Sequence, residues 1–232
     1  MKLSWTWIVA AVVASWAAVA LVPSEAMAGP KKGPLLKLKE AMPPCAEGAE
    51  HCFGVRLHVV FKRKKPVVSA KWLARQMNEA NARFADTKIG FEVVDVRRVH
   101  AGMEVMRTRK DRDRLGQGRF KRGVIDVFVV GQLDNVDAPG EINGVHWRNR
   151  DNRQQRWIIL SKIAWHVTLA HELGHFFGLP HSDYPGSIMN KSRKRDERPP
   201  EDEWAFHDDE EAIIEKRRLR MTRSGYIKPV EP

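Results

Sequence analysis

The chain has 232 residues, 43% of them hydrophobic and 30% charged, with a formal net charge of +11. This length favours one globular domain with short appendages and argues against two domains. A domain of this size can fold without a disulfide scaffold, so the two cysteines are accessories. The positive charge favours anionic neighbours such as cell-surface polymers or acidic proteins, or it simply forms a solvated surface.

The first residues are typical of an export signal. Lys2 supplies the positive start, an apolar run covers residues 5–22, and Ala-Met-Ala at 26–28 offers a cleavage site. We therefore expect residues 1–28 to be a signal peptide and the mature chain, secreted or periplasmic, to begin near Gly29. The apolar run approaches the length of about 20 residues that spans a bilayer, so an uncleaved membrane anchor is the alternative.

Residues 29–52 are rich in Pro, Gly, Lys and Glu and have no long apolar period, which predicts a leader or linker. In an exported chain, Cys45 and Cys52 are expected to form a local disulfide.

A strand is predicted next, because apolar residues alternate from Val55 to Phe61 and leave one face more buried. A helix follows, with Ser69 as its cap and apolar residues recurring at spacings of three and four up to Phe84. Further strands are predicted at 91–96, 124–130 and 157–160.

Two segments lack a regular period. Residues 107–123 are basic and contain three glycines, which predicts a surface loop, and residues 134–144 are rich in turn formers. Acidic side chains in the second segment allow calcium binding, although their spacing matches no calcium loop and favours a plain acidic turn: Asp134, Asp137 and Glu141. Near the end, a helix is predicted over 210–221 with Asp208 as its cap, and residues 222–232 are expected to be a loose tail.

The segment 171–181 reads HELGHFFGLPH. Residues four apart lie on the same side of a helix, so His171 and His175 can present two imidazoles to one metal ion. Catalytic zinc usually takes three protein ligands and keeps one position for water. A glycine at 178 can end the helix in the left-handed conformation, and His181 then returns to supply the third ligand.

Glu172 points about 100° around the helix from His171. At that angle its carboxylate can reach a metal-bound water without becoming a ligand, which is the position of a general base. A structural zinc would need a fourth Cys or His, and the sequence has none near His181.

The pattern HExxHxxGxxH, followed by Ser-Ile-Met-Asn at 187–190, resembles the metzincin zinc peptidases. Ser182, directly after the third histidine, is similar to the matrixin branch of that family. The resemblance implies an α+β fold with a twisted mixed sheet, an active-site helix and a smaller C-terminal subdomain that ends in a helix, together forming a catalytic domain over 53–221. It also implies one catalytic zinc ion and a floor of Met189 beneath it. A latent form in which Cys45 or Cys52 caps the zinc remains an alternative to the disulfide.

The resemblance further implies that an edge strand binds substrate by backbone pairing. Residues 143–148 are the candidate, with tentative contacts at four positions: Gly144, Val145, His146 and Trp147. A turn followed by an ordinary short strand is the plainer interpretation. The implied function is an exported, monomeric zinc endopeptidase that acts on proteins or peptides.

One alternative is a catalytically silent or non-peptidase zinc protein that binds peptides or polyanions through the cleft and the basic surface. Basic clusters at 62–65, 193–195 and 216–220 raise the question of nucleic-acid binding, but export and the lack of interleaved aromatics argue against it. The remaining histidines are expected to be surface or packed residues.

Overall fold

The computed structural model describes residues 33–191 and 198–230, so the predicted signal peptide lies outside the described residues. The helices are α1 (Pro34–Glu40), α2 (Ala70–Arg83), α3 (Arg109–Gly116), α4 (Thr168–Phe176) and α5 (Asp208–Arg223). The strands are β1 (His51–Lys62), β2 (Lys65–Pro66), β3 (Ile89–Val99), β4 (Val105–Met106), β5 (Ile125–Val130), β6 (Gln132–Leu133), β7 (Gly144–Arg148) and β8 (Arg156–Ser161). Within the described residues, no helix is long and apolar enough to cross a membrane.

The main sheet is mixed. β1 pairs in parallel with β3 and with β5, and β5 pairs in parallel with β8. β8 also carries β7, which is antiparallel and forms an edge of the sheet. The short β2 folds back on the end of β1, while β4 and β6 form a separate small pair. The α+β fold with a mixed sheet, implied by the resemblance, is confirmed.

Helices cover both faces of this sheet. The larger apolar core includes residues of α2, α4 and α5, and the smaller core includes Leu115 of α3 and Trp157 of β8. Ser69 caps α2 as predicted, since its hydroxyl accepts from the Trp72 N–H at 3.1 Å. In α5 the cap is His207 rather than the predicted Asp208, and Glu210 completes the capping box.

Strand β1 is buried on both faces, whereas its alternating pattern predicted one face more buried than the other. The polar face is buried because Arg56 and His58 share a carboxylate of β5: Arg56 Nε donates to Asp126 Oδ1 at 2.7 Å, and His58 Nε2 lies 2.8 Å from the same oxygen. Such pairing makes the burial of charged groups tolerable.

Three segments are more ordered than predicted. The leader contains α1, whose Leu38 enters the main core, so the packed domain begins before residue 53. The basic segment 107–123 contains α3, which Thr108 and Asp111 start with a capping box that a search for apolar periodicity does not detect. The expected loose tail is also packed, because Tyr226 and Ile227 are buried.

Candidate metal centre

Helix α4 carries the first two histidines of the motif, His171 and His175, one turn apart. It ends in a Schellman turn: the N–H of Gly178 donates to the carbonyl of His175, and that of Leu179 to the carbonyl of Gly174, each at 3.0 Å. The turn needs the left-handed conformation, and Gly178 has φ of 101°. The chain then reverses and brings His181 beside the other two rings.

The spacing of the three rings fits a shared metal ion. His175 Nε2 and His181 Nε2 are 3.3 Å apart, and one ring nitrogen from each of the three histidines lies within 4.8 Å of the others. Two nitrogens bound tetrahedrally at about 2.0–2.1 Å from zinc lie about 3.3–3.4 Å apart. Three imidazoles also match the ligand number of catalytic zinc.

Backbone carbonyls orient two of these rings. His171 Nδ1 lies 2.8 Å from the carbonyl oxygen of Ile188, and His175 Nδ1 lies 2.7 Å from that of Leu179. A carbonyl oxygen only accepts, so each Nδ1 carries the proton and each Nε2 keeps a free lone pair for a metal.

The protein keeps these ligands neutral. The pKa of His171 is lowered to about 4, mainly by burial; the hydrogen bond to Ile188 opposes the shift, and the neighbouring His175 and His181 add to it. Burial also lowers the pKa values of His175 and His181. Since only a neutral imidazole binds a metal, the triad does not first have to lose protons near pH 7.

Glu172 lies in the same helix and is only 5% exposed. Burial raises the pKa of its carboxyl to about 8, against smaller opposite effects of the His146 backbone N–H and the Arg112 guanidinium. Its Oε2 is buried and has no hydrogen-bond partner among the described residues. A general base must be in the carboxylate form, and a divalent cation held by the neighbouring triad would favour that form because an opposite charge lowers the pKa of a carboxyl. The unused oxygen could then accept a proton.

The turn at 187–190 lies against α4, the helix that carries His171 and His175. Met189 is fully buried, and a methyl group built on Gly174 would lie 2.4 Å from its sulfur, so the glycine lets the methionine pack directly on α4. The Ser187 hydroxyl accepts from the Met189 N–H at 2.8 Å and donates to the Glu210 carboxylate at 2.8 Å. This packing suits the predicted role of Met189 as an apolar floor.

A cleft of about 1140 Å³ opens beside the triad. Its wall on one side is β7, which approaches α4 closely at Gly144: a methyl group there would lie 2.8 Å from Thr168 Cγ2 and 3.1 Å from Glu172 Cγ. β7 pairs with β8 along one side and, in the described part of the chain, forms the edge of the sheet on the other. Its backbone is therefore available to a ligand in the cleft.

Comparison with known proteins agrees with this geometry. Residues 130–216 match the sequence model of the matrixin family, and no curated protein matches the chain. The structure is similar to archaemetzincin from Methanopyrus kandleri, with 13% identity, a TM-score of 0.50 and coverage of 72% of this chain and 96% of that one. It is also similar to metalloproteinase-II from Bacteroides fragilis, with 13% identity, a TM-score of 0.50 and coverage of 76% of this chain and 55% of that one.

The fold is similar to that of metzincin-type zinc peptidases. The resemblance inferred from HExxHxxGxxH and the methionine turn is thus confirmed. Together the matrixin match and the fold support a zinc metallopeptidase, which is a hydrolase.

The four tentative substrate positions on β7 do not all line the cleft. Gly144, Val145 and His146 line the cleft. The Trp147 side chain lies on the opposite face of the sheet, where its Nε1 donates to Asp113 Oδ1 at 2.8 Å. Side chains alternate between the two faces of a strand, so the Val145 side chain packs against the smaller core on that same face, and Trp147 could meet a ligand only through its backbone.

The disulfide between Cys45 and Cys52 is present, so neither cysteine is a thiolate that could cap a metal. The acidic turn likewise does not converge on a cation: Asp134 accepts from Gln132 and Asp137 pairs with Arg109. Among the described residues, the histidine triad is the one group of three or more His, Cys, Asp or Glu side chains placed to hold a metal. Calcium therefore has no support.

Several residues of the site were not predicted from the sequence. The carbonyls of Ile188 and Leu179 orient the histidines, and every residue type has a carbonyl, so no sequence signal marks them. Cations and aromatic residues also line the cleft: Arg148, Lys191, Arg198, Trp165 and Trp204. Gly174 could have been found, because a glycine inside a helix costs stability and points to a close contact.

Proposed function

We propose that the chain is an exported zinc endopeptidase that hydrolyses peptide bonds with Glu172 as general base. One observation carries the proposal: His171, His175 and His181 converge beside a cleft in which Glu172 keeps a buried, unused carboxylate oxygen. Neutral rings with a free Nε2 and a base that is not a ligand fit a catalytic zinc site better than a structural one.

Zinc held by three imidazoles supplies a Lewis acid that lowers the pKa of a water molecule and polarises a carbonyl group. The chain's own part is the proton transfer. Glu172 accepts the proton of the attacking water on its carboxylate and passes it to the departing amine. Its low exposure shields that proton from bulk solvent, and Met189 packs at Gly174 against the helix that carries the base and two of the three ligands.

The substrate would lie extended along β7. Free backbone groups on an edge strand bind a peptide by adding a strand, which supplies affinity without strong sequence preference. A cleft open to solvent beside such an edge accommodates the middle of a chain, and this supports an endopeptidase rather than an enzyme limited to chain ends.

Export is supported by the predicted signal peptide and by the Cys45–Cys52 disulfide, since disulfides persist in oxidising compartments. N-terminal sequencing of protein recovered outside the cytosol is expected to begin near Gly29. Protein that stays in the cytosol would refute export, and exported protein that keeps residues 1–28 would indicate a membrane anchor.

The activity is tested by digestion of casein and of a peptide library, with zinc content measured on the same sample. We expect one zinc ion per chain, loss of activity with a chelator, and recovery on adding zinc. Glu172→Gln should lower kcat by about 10²- to 10⁴-fold with zinc retained, which is the usual contribution of a general base. Glu50→Gln makes the same change at an exposed site outside the cleft and should have no effect.

A chain that binds zinc but cleaves nothing, with Glu172→Gln indistinguishable from wild type, would refute the peptidase. It would favour the silent binding protein instead.

A further inference from the structure

The charged side chains that line the cleft are mostly positive. Its charged side chains are the cations Arg148, Lys191 and Arg198, and a single acid, Glu172, which is 5% exposed. Arg198 is already engaged, because it donates to the carbonyls of Pro185 and Ser187 and stacks over Trp204. The other two lining cations are available to a ligand: Lys191 lies near His181, and Arg148 lies at the β7 end of the cleft.

At that end three arginines gather, here called the arginine cluster: Arg148, Arg156 and Arg217. Arg148 and Arg156 are direct cross-strand partners of β7 and β8, which places their side chains on the same face of the sheet. Arg217 comes from α5, and a methyl group built on Gly178 would lie 3.1 Å from its Nε. The cluster therefore reaches the turn that follows His175.

No carboxylate balances the cluster within the described residues, whereas several other arginines have acidic partners. Arg150, for example, pairs with Asp113 at 2.7 Å, and Arg218 pairs with Glu215 in the same helix as Arg217. Burial lowers the pKa values of Arg156 and Arg217, and each is lowered further by the charge of Arg148. Like charges held together without a counter-charge are unfavourable, and an anion binding among them would relieve the repulsion.

Packing keeps part of the cluster in place before any ligand arrives. The Arg156 guanidinium lies over the Tyr226 ring, 5.1 Å from its centroid, and both Arg156 and Arg217 are only partly exposed. Arg148 is exposed at the rim and lines the cleft. Planar guanidinium groups bind carboxylates with two parallel hydrogen bonds, so the cluster suits a carboxylate better than a neutral group.

We propose that the arginine cluster binds a carboxylate of the peptide substrate and makes the enzyme prefer peptides with an acidic group at the Gly178 end of the cleft. This inference rests on the proposed peptidase function. The carboxylate can belong to a Glu or Asp side chain, or to the C-terminus of the peptide. Both sources have the same chemistry, and the experiment separates them.

The test compares matched peptides built on one sequence that the enzyme cleaves. In one series, Glu or Gln is placed at each position near the scissile bond; in the other, the peptide ends in a free acid or in an amide. At one position we expect kcat/KM for the Glu peptide to exceed that for the Gln peptide on the order of tenfold. A charge-assisted hydrogen bond contributes about that much to binding. The preference should shrink in 1 M salt, where the screening length falls to about 3 Å.

Arg217→Gln should bring the Glu-to-Gln ratio of kcat/KM close to one, chiefly by lowering kcat/KM for the Glu peptide. Arg223→Gln is the matched control, because it removes the same charge from the same helix at an exposed position outside the cleft. Arg148→Gln provides a second test at the exposed rim, in case Arg217→Gln disturbs packing; circular dichroism and zinc content check each variant.

Two results overturn the inference. One is a wild type that prefers neither Glu over Gln nor the free acid over the amide. The other is a wild-type preference that is unchanged in both Arg217→Gln and Arg148→Gln. A preference only for the C-terminal acid, lost in Arg217→Gln, supports the carboxylate site and contradicts the endopeptidase.

If no peptide is cleaved, the proposed function has failed, and equilibrium binding of the Glu and Gln peptides to the zinc-loaded chain decides the inference. Tighter binding of the Glu peptide, lost in Arg217→Gln, supports it, and equal binding refutes it.

Discussion

Replacing Gly178 by alanine tests how the third ligand is placed. The residue has φ of 101°, and an L-amino acid held in a left-handed conformation costs about 1–2 kcal/mol. The new methyl group would also lie 3.1 Å from Arg217 Nε, so this side chain must move by a few tenths of an ångström. We therefore expect the free energy of unfolding to fall by about 1–2 kcal/mol, with most of the loss due to the backbone.

The second consequence concerns the metal. If the turn relaxes towards an ordinary helical conformation, the Leu179 carbonyl leaves His175 Nδ1 and His181 no longer returns to the other rings. Loss of such an orienting contact alone costs about 10- to 100-fold in metal affinity. We therefore expect zinc binding to weaken by at least about tenfold, measured by competition with a chromophoric chelator; urea denaturation measures the stability.

Gly140→Ala is the matched control. Gly140 has φ of 113°, and a methyl group there would meet no atom within 4 Å, so the substitution carries a similar backbone cost away from the histidines. It should lower stability by a comparable amount and leave zinc affinity unchanged. If Gly178→Ala kept wild-type zinc affinity with a stability loss equal to that of the control, Gly178 would have no part in positioning His181.

Three further predictions concern stability. Asp126→Ala leaves Arg56 and His58 buried without their shared carboxylate and should destabilise the fold by about 3–5 kcal/mol in urea denaturation; a loss below 1 kcal/mol would show that the network is dispensable. Burial lowers the pKa of His58 below its usual 6.5, so as pH falls the unfolded state takes up a proton before the folded state does. The contribution of His58 to stability is therefore complete above pH 6.5 and is lost as pH falls below it. His58→Gln should flatten this part of a plot of melting temperature against pH. Reduction of the disulfide between Cys45 and Cys52, which are separated by 7 positions, should lower the free energy of unfolding by about 2–3 kcal/mol. A reductant should therefore lower the melting temperature of the wild type and leave that of Cys45→Ala/Cys52→Ala unchanged.

Much of the candidate site is local, and local features can be predicted from spacing. His171 and His175 share a side of α4 because the helix repeats every 3.6 residues. The chain turns back after Gly178 because a residue in the left-handed conformation ends a helix. The parallel strands β1, β3, β5 and β8 and helix α2 were also predicted from their sequence patterns. α3 was missed because its start depends on a capping box in a basic segment and it contributes few apolar residues to the core.

The sequence by itself therefore predicted the three candidate ligands and the candidate base, because these residues lie close together in the chain, and its resemblance to the metzincins predicted the class of fold. The tertiary structure alone decided which carbonyls orient the rings, which face of β7 meets the cleft, and that Arg217 joins Arg148 and Arg156. These contacts join residues far apart in the chain, and they depend on strand register and helix packing. Register and packing arise from the whole core at once, so no short pattern of residues encodes them.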